Sequence, residues 1–310
     1  MRNAFAEAVT ELADENQELV LLAGDIGNRL FDNFKEKHPC RFYNCGVAEA
    51  GMTGIAAGLA SCGLQPITYT ITPFNTLRCL EQIRLDVCYP DLPVIIVGTG
   101  SGLSYASLGA THHSMEDICV LRSLPNMHVI CPADTVEVKL ALTEALRLKR
   151  PTYIRLGKKG EPVVHKKTPT FQIGKGITIS NGDEIALLGV GNMLSVAMET
   201  ANLLKVKGLS VRVISMHTVK PLDEELLEEL FTNYLTIAVI EEHGLAGGTG
   251  SAVLEWGSAR KMDLRKLQCF GGPDKFLTAC GNQQQARDEI GLNSLSISKN
   301  ILEFLSKQCY

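Results

Sequence analysis

The stretch Phe42-Tyr43-Asn44-Cys45-Gly46-Val47-Ala48-Glu49-Ala50-Gly51-Met52 joins a strand-like run to a helical segment of very small residues. Its one carboxylate, Glu49, lies at the junction, and glycines recur at positions 54 and 58. A helix with so little side-chain bulk lets a backbone or a ligand ring approach closely, although each interior glycine costs ~0.5–1 kcal/mol. Two interpretations of Glu49 stay open at this point: a site carboxylate, or an exposed residue before a tightly packed buried helix.

The elements around this stretch alternate as they do in βαβ units. Apolar runs predict strands at 19–23, 42–45 and 65–69, with a helix over 49–62 between the last two. This alternation favours a parallel sheet. The first strand ends in the loop Gly24–Asn28, which puts Asp25 at the carboxyl edge of the sheet, where open α/β sheets bind ligands. Asp25 is therefore a candidate site residue, with turn capping as the alternative.

The same alternation continues along the chain in two units. In the first unit, further elements are predicted at 3–15, 73–89, 93–97, 114–124, 127–131, 135–148 and 152–156. In the second unit, strands are predicted at 184–190, 210–215, 235–241 and 266–270, and helices at 194–207, 223–231 and 250–258. The predicted fold class is α/β with two doubly wound domains, at 1–160 and 176–310, joined by a linker at 161–175 that lacks apolar periodicity.

A glycine-rich loop over 98–113 is long for a compact α/β domain, and loops of this kind are usually functional. It ends in His112 and His113, whose side chains should diverge because they are neighbours in sequence. No third ligand stands at a suitable spacing, so we expect no metal here and interpret one histidine as a polar or proton-transfer group.

Two further glycine-flanked segments are weaker candidates. Lys158 and Lys159 follow a predicted strand and could hold a substrate phosphate, or could simply be solvated. The segment Gly189–Asn192 follows a predicted strand and precedes a predicted helix, as a dinucleotide-binding fingerprint does. However, Leu194 stands where the third glycine of that fingerprint is needed. Nicotinamide binding is therefore not expected.

Composition restricts the class of protein. A formal net charge of -4 and a pI near 6.0 argue against a nucleic-acid or anionic-membrane surface. No apolar run approaches the ~20 residues of a membrane span, so we expect a cytoplasmic protein. The ten cysteines include no Cys-x-x-Cys pair and are expected to be reduced packing residues.

Several motifs in order along the chain carry a family resemblance. They are Gly46-Val47-Ala48-Glu49-x-x-Met52, Arg78-x-x-Glu81-Gln82-Ile83-Arg84, Thr111-His112-His113-Ser114-Met115-Glu116-Asp117 and Val219-Lys220-Pro221-Leu222-Asp223. Together they resemble the C-terminal half of transketolase, and most closely the second subunit of split transketolases. The resemblance runs along essentially the whole chain and implies a pyrimidine-binding domain followed by a transketolase C-terminal-like domain.

The resemblance implies thiamine diphosphate as cofactor. Glu49 stands at the family position where a buried, neutral carboxylic acid hydrogen-bonds a ring nitrogen of the aminopyrimidine; desolvation favours that neutral form. Asp25 falls at a family acidic position near the cofactor, and Phe74 and Arg78 lie in the segment expected to contact it. The family has a stacking aromatic residue where this chain has Asn75, so we expect its neighbour Phe74 to stack instead.

The family also binds the diphosphate through Mg²⁺, held by a Gly-Asp-Gly…Asn motif in a separate domain. Neither Gly24-Asp25-Ile26 nor Gly182-Asp183-Glu184 is that motif. The resemblance therefore implies a partner subunit that holds the diphosphate and magnesium, an active site at the interface, and a heterotetramer.

The substrate side departs from the family pattern. His112 falls at a family histidine that contacts the reacting oxygens, and Arg2 and Lys158 fall where basic side chains bind the acceptor phosphate. Leu108 replaces the aspartate that recognises a donor hydroxyl, and Gly100 replaces a second substrate histidine. Losing a buried hydrogen-bond partner disfavours the ordinary ketose donor by ~1–3 kcal/mol.

Three functions remain open from the sequence. The first is a transketolase-type transfer of a two-carbon ketol unit from a ketose to an aldose, with non-standard donor recognition. The second is decarboxylation of an oxoacid with condensation, as in deoxyxylulose phosphate synthase or the beta subunit of an oxoacid dehydrogenase, which the loss of the aspartate at position 108 favours. The third is a non-catalytic subunit that keeps the fold.

Overall fold

The computed structural model describes residues 1–27, 29–278 and 281–308. The predicted loop residue Asn28 and two of the cysteines, Cys280 and Cys309, lie outside the described residues. The other eight cysteines are free thiols. Cys40 and Cys62 among them are exposed, so these two do not pack in the core as expected.

The first unit is a seven-stranded sheet covered by helices on both faces. Its six parallel strands are β1 (Leu19–Ala23), β2 (Phe42–Asn44), β3 (Gln65–Ile71), β4 (Ile95–Thr99), β5 (His128–Ile130) and β6 (Thr152–Leu156). Its helices are α1 (Arg2–Glu15), α2 (Asp32–Lys37), α3 (Glu49–Ser61), α4 (Thr72–Asn75), α5 (Leu80–Gln82), α6 (Asp117–Arg122) and α7 (Thr135–Leu148).

The second unit is a five-stranded sheet. Its strands are β7 (Ile177–Ser180), β8 (Ile185–Gly189), β9 (Val211–Ser215), β11 (Thr236–Gly244) and β12 (Leu267–Gly272), in the order β12-β11-β8-β9-β7. All pairs are parallel except β7 with β9. Its helices are α8 (Leu194–Val206), α9 (Glu224–Asn233), α10 (Thr249–Ala259), α11 (Gln283–Glu289) and α12 (Ser294–Gln308). The predicted α/β class with two doubly wound units is confirmed.

The two units share a sheet and a core. Strand β10 (Thr218–Lys220) leaves the second unit and pairs antiparallel with β5, so the first sheet has the order β10-β5-β6-β4-β3-β1-β2. One continuous cluster of buried apolar side chains includes Val129 of β5 together with Met216 and Val219 from the second half. Burial of this apolar surface holds the units together.

Two predicted helices are wrong in extent, each for a local reason. The helix expected over 73–89 is instead a series of short turns, because Thr76 leaves helical geometry (φ -124°, ψ -80°) and 83–88 winds as a π-helix. The helix expected over 114–124 begins at Asp117, because Ser114 forms an extended bridge with Gly102. Helices α2, α11 and α12 and strands β7 and β10 were not predicted.

Helix α3 buries one face only. Met52, Ala56 and Ala60 pack into the core, whereas a Cβ added at Gly51, Gly54 or Gly58 would meet no atom within 4 Å. The alternative of an exposed Glu49 before a tightly packed buried helix is therefore wrong, since Glu49 is buried and the glycine face of α3 is open. Among the described residues, no helix is long and apolar enough to cross a membrane.

Candidate active site

The carboxyl ends of the parallel strands bring most of the candidate residues to one edge of the first sheet. Asp25 follows β1, Glu49 begins the helix after β2, Phe74 follows β3, Gly100 follows β4 and Lys158 follows β6. Parallel strands share this edge, so residues far apart in sequence meet there.

Glu49 is buried at this edge as the first residue of α3. Its side chain is 2% exposed, and its Oε2 accepts a hydrogen bond from Nη1 of Arg78 at 2.8 Å. The helix N-terminus and the guanidinium both present positive charge to this carboxylate. Gly24 makes room beside it, since a Cβ there would lie 3.3 Å from Glu49 Cγ. An aminopyrimidine that hydrogen-bonds Oε2 of Glu49, as the resemblance implies, would take the place of Arg78 in this contact.

Arg78 joins Glu49 to an aromatic face. Its Cζ lies 4.2 Å from the ring centroid of Phe74, and its side chain is 45% exposed. The guanidinium thus makes both contacts that we expected of the aminopyrimidine, one with Glu49 and one with Phe74. The side chain of Arg78 is half exposed and has several rotatable bonds. A ligand can therefore displace it from Glu49.

Asn75 faces the opposite way from Phe74. It is fully buried, and its Nδ2 donates to the carbonyl oxygens of Val97 at 2.9 Å and Thr68 at 3.3 Å. Asn75 therefore ties α4 to the sheet, while the ring of Phe74 stays half-buried at the site. Phe74 is the aromatic side chain placed next to Arg78.

His112 continues the row of contacts. Its ring lies 5.3 Å from that of Phe74 in an edge-on arrangement, and its Nδ1 lies 2.9 Å from Thr111 Oγ1. Burial lowers the pKa of His112, and the neighbouring His113 lowers it further. The imidazole is therefore neutral at pH 7. His113 points away, and its Nε2 lies 3.1 Å from the carbonyl oxygen of Ala106.

Tyr105, which the sequence reasoning missed, completes the row. Its ring lies 5.9 Å from that of His112, and Nζ of Lys158 lies 4.2 Å above its centroid. A continuous series of contacting side chains thus crosses the sheet edge. In order, its members are Glu49, Arg78, Phe74, His112, Tyr105 and Lys158. The only signal in the sequence was one aromatic residue inside a glycine-rich loop.

Two of the other candidates, Asp25 and Leu108, lie apart from this series, whereas Arg2 lies near its end. Asp25 is exposed, has a left-handed backbone (φ 53°) and accepts a hydrogen bond from Asn44 Nδ2 at 2.9 Å. Leu108 is 50% exposed. Arg2 lines a cleft of about 530 Å³ together with Arg29 and Asn33, and it lies near the lysine end of the series, where burial, Lys159 and the charge of Arg2 lower the pKa of Lys158.

The glycine-rich loop is anchored to the second unit by a buried carboxylate. Oε1 of Glu242 accepts from Leu103 N at 2.7 Å and from Gln283 Nε2 at 2.9 Å, and Glu242 also pairs with Arg287. A side chain at Gly102 would collide with Glu242, at 2.3 Å from its Oε1. The loop that carries Tyr105 and His112 therefore has its position set by the second unit.

A cofactor of the expected type fits part of this arrangement. A buried carboxylate, an adjacent aromatic face and the space left by Gly24 suit a planar aminopyrimidine. In the described parts of the chain, no group of three or more His, Cys, Asp and Glu side chains could hold a metal ion.

Comparison with known families covers almost the whole chain. Residues 1–161 match the family described as "Transketolase, pyrimidine binding domain", and residues 174–297 match "Transketolase, C-terminal domain". The second match begins within the segment predicted as a linker.

Comparison with individual proteins agrees. The chain is 32% identical over 308 residues to an apulose-4-phosphate transketolase subunit of Phocaeicola vulgatus, covering 99% of this chain and 97% of that protein. It is 34% identical over 305 residues to 1-deoxy-D-xylulose-5-phosphate synthase of Magnetococcus marinus, covering 97% of this chain but 48% of that protein. A solved structure titled "Split gene transketolase, inactive beta4 tetramer" superposes with a TM-score of 0.90 at 33% identity, covering 98% of both chains.

Proposed function

We propose that this chain, which belongs to the transketolase family and contains its pyrimidine-binding and C-terminal domains, is one subunit of a split thiamine diphosphate-dependent transketolase. In this proposal the assembled enzyme transfers a two-carbon ketol unit from a ketose to an aldose. The observation that carries the proposal is Glu49, a buried carboxylate at a helix N-terminus whose ion-pair partner, Arg78, is half exposed.

Four residues of the series have a proposed role toward the cofactor or substrate. The cofactor, once bound, supplies the carbanion chemistry. Glu49 holds the proton that is shared with a ring nitrogen of the aminopyrimidine, after Arg78 has left the carboxylate. Phe74 supports the face of that ring, and neutral His112 binds the reacting oxygens of the substrate. Lys158 is the point charge for a substrate phosphate at the far end.

We propose that a partner subunit completes the site by binding the diphosphate and Mg²⁺. The open glycine face of α3 supports this, because Val47 (75% exposed) and Ile55 (51% exposed) lie beside it. Exposed apolar residues next to a helix without side-chain bulk suit a close subunit contact. A heterotetramer and a cytoplasmic location remain predictions from the sequence.

A second candidate function is condensation of an oxoacid-derived unit with an aldehyde. Leu108 is half exposed and has no hydroxyl acceptor, and the similarity to a 1-deoxy-D-xylulose-5-phosphate synthase supports this alternative. The two functions differ in donor, since one uses a ketol donor such as hydroxypyruvate and the other uses pyruvate.

The test uses this chain assembled with the proposed diphosphate-binding partner subunit. We expect turnover with hydroxypyruvate and a sugar aldehyde, and a loss of at least about 100-fold for Glu49→Gln, because an amide cannot exchange the carboxyl proton. Glu303→Gln, an exposed change on α12, is the matched control and should keep full activity. Substantial turnover by Glu49→Gln would contradict the proposal. Turnover with pyruvate as donor, but not with hydroxypyruvate, would favour the alternative.

A further inference from the structure

The absence of a side chain at position 100 has a steric cause in the loop that follows. A Cβ on Gly100 would lie 1.9 Å from Cε2 and 2.3 Å from Cδ2 of Tyr105. Gly100 also has a left-handed backbone (φ 73°), which glycine adopts at no steric cost. The ring of Tyr105 therefore fills the space that a side chain at 100 would need.

The same ring contacts two residues at the substrate end of the site. Lys158 Nζ lies 4.2 Å above its centroid, within the range of a cation–π interaction, and the ring of His112 lies 5.9 Å away at 61°. Burial raises the pKa of the Tyr105 phenol, so it is uncharged at neutral pH. The ring is thus a neutral platform between the histidine and the lysine.

Lysine needs such a platform more than arginine does. Its ammonium is a point charge on a flexible stem, and it lacks the fork that lets arginine bind phosphate in a fixed orientation. Held over the Tyr105 ring, the ammonium keeps a defined place at the end of the series away from Glu49.

We infer that Tyr105 is a substrate-positioning residue that holds Lys158 in place for the phosphate of a phosphorylated sugar. The inference rests on the proposed function and deepens it by naming the residue that positions the phosphate-binding lysine.

The experiment compares D-erythrose 4-phosphate with D-erythrose as acceptors for the assembled enzyme. We expect Tyr105→Ala to raise KM for the phosphorylated acceptor about tenfold, with kcat within about twofold and with KM for erythrose unchanged. Tyr105→Phe keeps the ring and should behave like the unmodified enzyme. In a Lys158→Met background, Tyr105→Ala should have no further effect on KM for the phosphorylated acceptor.

Two outcomes would overturn the inference. An equal loss with both acceptors, mainly in kcat, would mean that Tyr105 only supports the loop. An unchanged KM for the phosphorylated acceptor would mean that Tyr105 does not act through Lys158.

Calorimetric binding of D-erythrose 4-phosphate to the assembled Glu49→Gln protein separates the two proposals. If the sugar phosphate binds in a Tyr105-dependent way while the unmodified enzyme transfers no two-carbon unit, the proposed function fails and the inference stands. If transfer occurs but binding does not depend on Tyr105, the inference alone fails.

Discussion

Glu49 and Glu137 are both buried carboxylates in the first turn of a helix, yet they are held in different ways. Glu137 is fully buried and has three internal partners: Oε2 accepts from Ala133 N at 2.7 Å, and Oε1 lies 2.7 Å from both His165 Nε2 and Ser215 Oγ. Glu49 is paired with Arg78, which is 45% exposed. The first arrangement is closed, whereas the second can be opened by a ligand.

The difference teaches how to separate structural from functional buried charges in this protein. Glu137 sits between the two units, because His165 follows the first unit and Ser215 ends β9 of the second. Its partners satisfy both oxygens from inside the chain, as a stabilising carboxylate requires. Glu49 instead lies at the carboxyl edge of the sheet, where a ligand can replace the arginine.

The largest expected effect on stability is that of Glu137→Gln. The amide presents N–H groups to at least one buried donor, so we expect the free energy of unfolding to fall by ~3–5 kcal/mol. Chemical denaturation measures it. Glu49→Gln is the matched control, and because its partner is solvent-screened it should cost less than ~1 kcal/mol. Equal losses for the two variants would break the comparison.

A smaller effect on stability is expected from pH, through His217, which lies near Glu137 between the two units. Burial lowers the pKa of His217 to about 4 from its ordinary 6.5. Between these values the unfolded chain binds more protons than the folded one, so stability falls as pH drops from 6.5 towards 4. At ~1.36 kcal/mol per pH unit, His217 contributes up to about 3 kcal/mol to this loss.

His217→Asn should remove that part of the slope. The measurement is the difference in unfolding free energy between the variant and the unmodified protein from pH 5 to 6.5. The buried ring stacks on Phe171 at 4.0 Å, so the variant is less stable overall, but its pH slope should be flatter. An unchanged slope would contradict the prediction.

His165 should act with the opposite sign. Although burial opposes it, the hydrogen bond to Glu137 raises the pKa of His165 above 6.5. The stability from this contact is present below pH 6.5 and is lost as pH rises through the folded pKa. His165→Gln should flatten the decline on the alkaline side, which denaturation between pH 6.5 and 8.5 measures, while leaving the acid side unchanged.

The smallest expected effect is that of Arg78→Ala. It removes the partner of Glu49, but exposure of the guanidinium limits the loss to ~1 kcal/mol. In a Glu49→Gln background the same change should cost almost nothing, because no buried charge is left unpaired. A double-mutant cycle in thermal unfolding measures this coupling, and the absence of coupling would show that Arg78 is not what stabilises the Glu49 charge.

The sequence predicted the alternation of strands and helices because each element depends on a local pattern of apolar residues. Apolar runs of strand length alternating with helices indicated the parallel sheets, and the order of strand ends brought Glu49, Phe74, His112 and Lys158 to one edge. Their assignment to a cofactor and substrate came from resemblance and stays a proposal. The break after Asn75 was missed because it depends on that side chain binding Val97 and Thr68, which lie on neighbouring strands.

By itself, the sequence determined the fold class, the family and the position of Glu49 at a strand-to-helix junction, since each depends on periodicity or on motifs within a few residues. Only the tertiary structure decided that Arg78 pairs with Glu49, that Tyr105 occupies the space above Gly100, and that β10 crosses to the other sheet. These contacts join residues whose spacing in the sequence follows neither helix nor strand periodicity. They form only when loops close and the two units bury their common core.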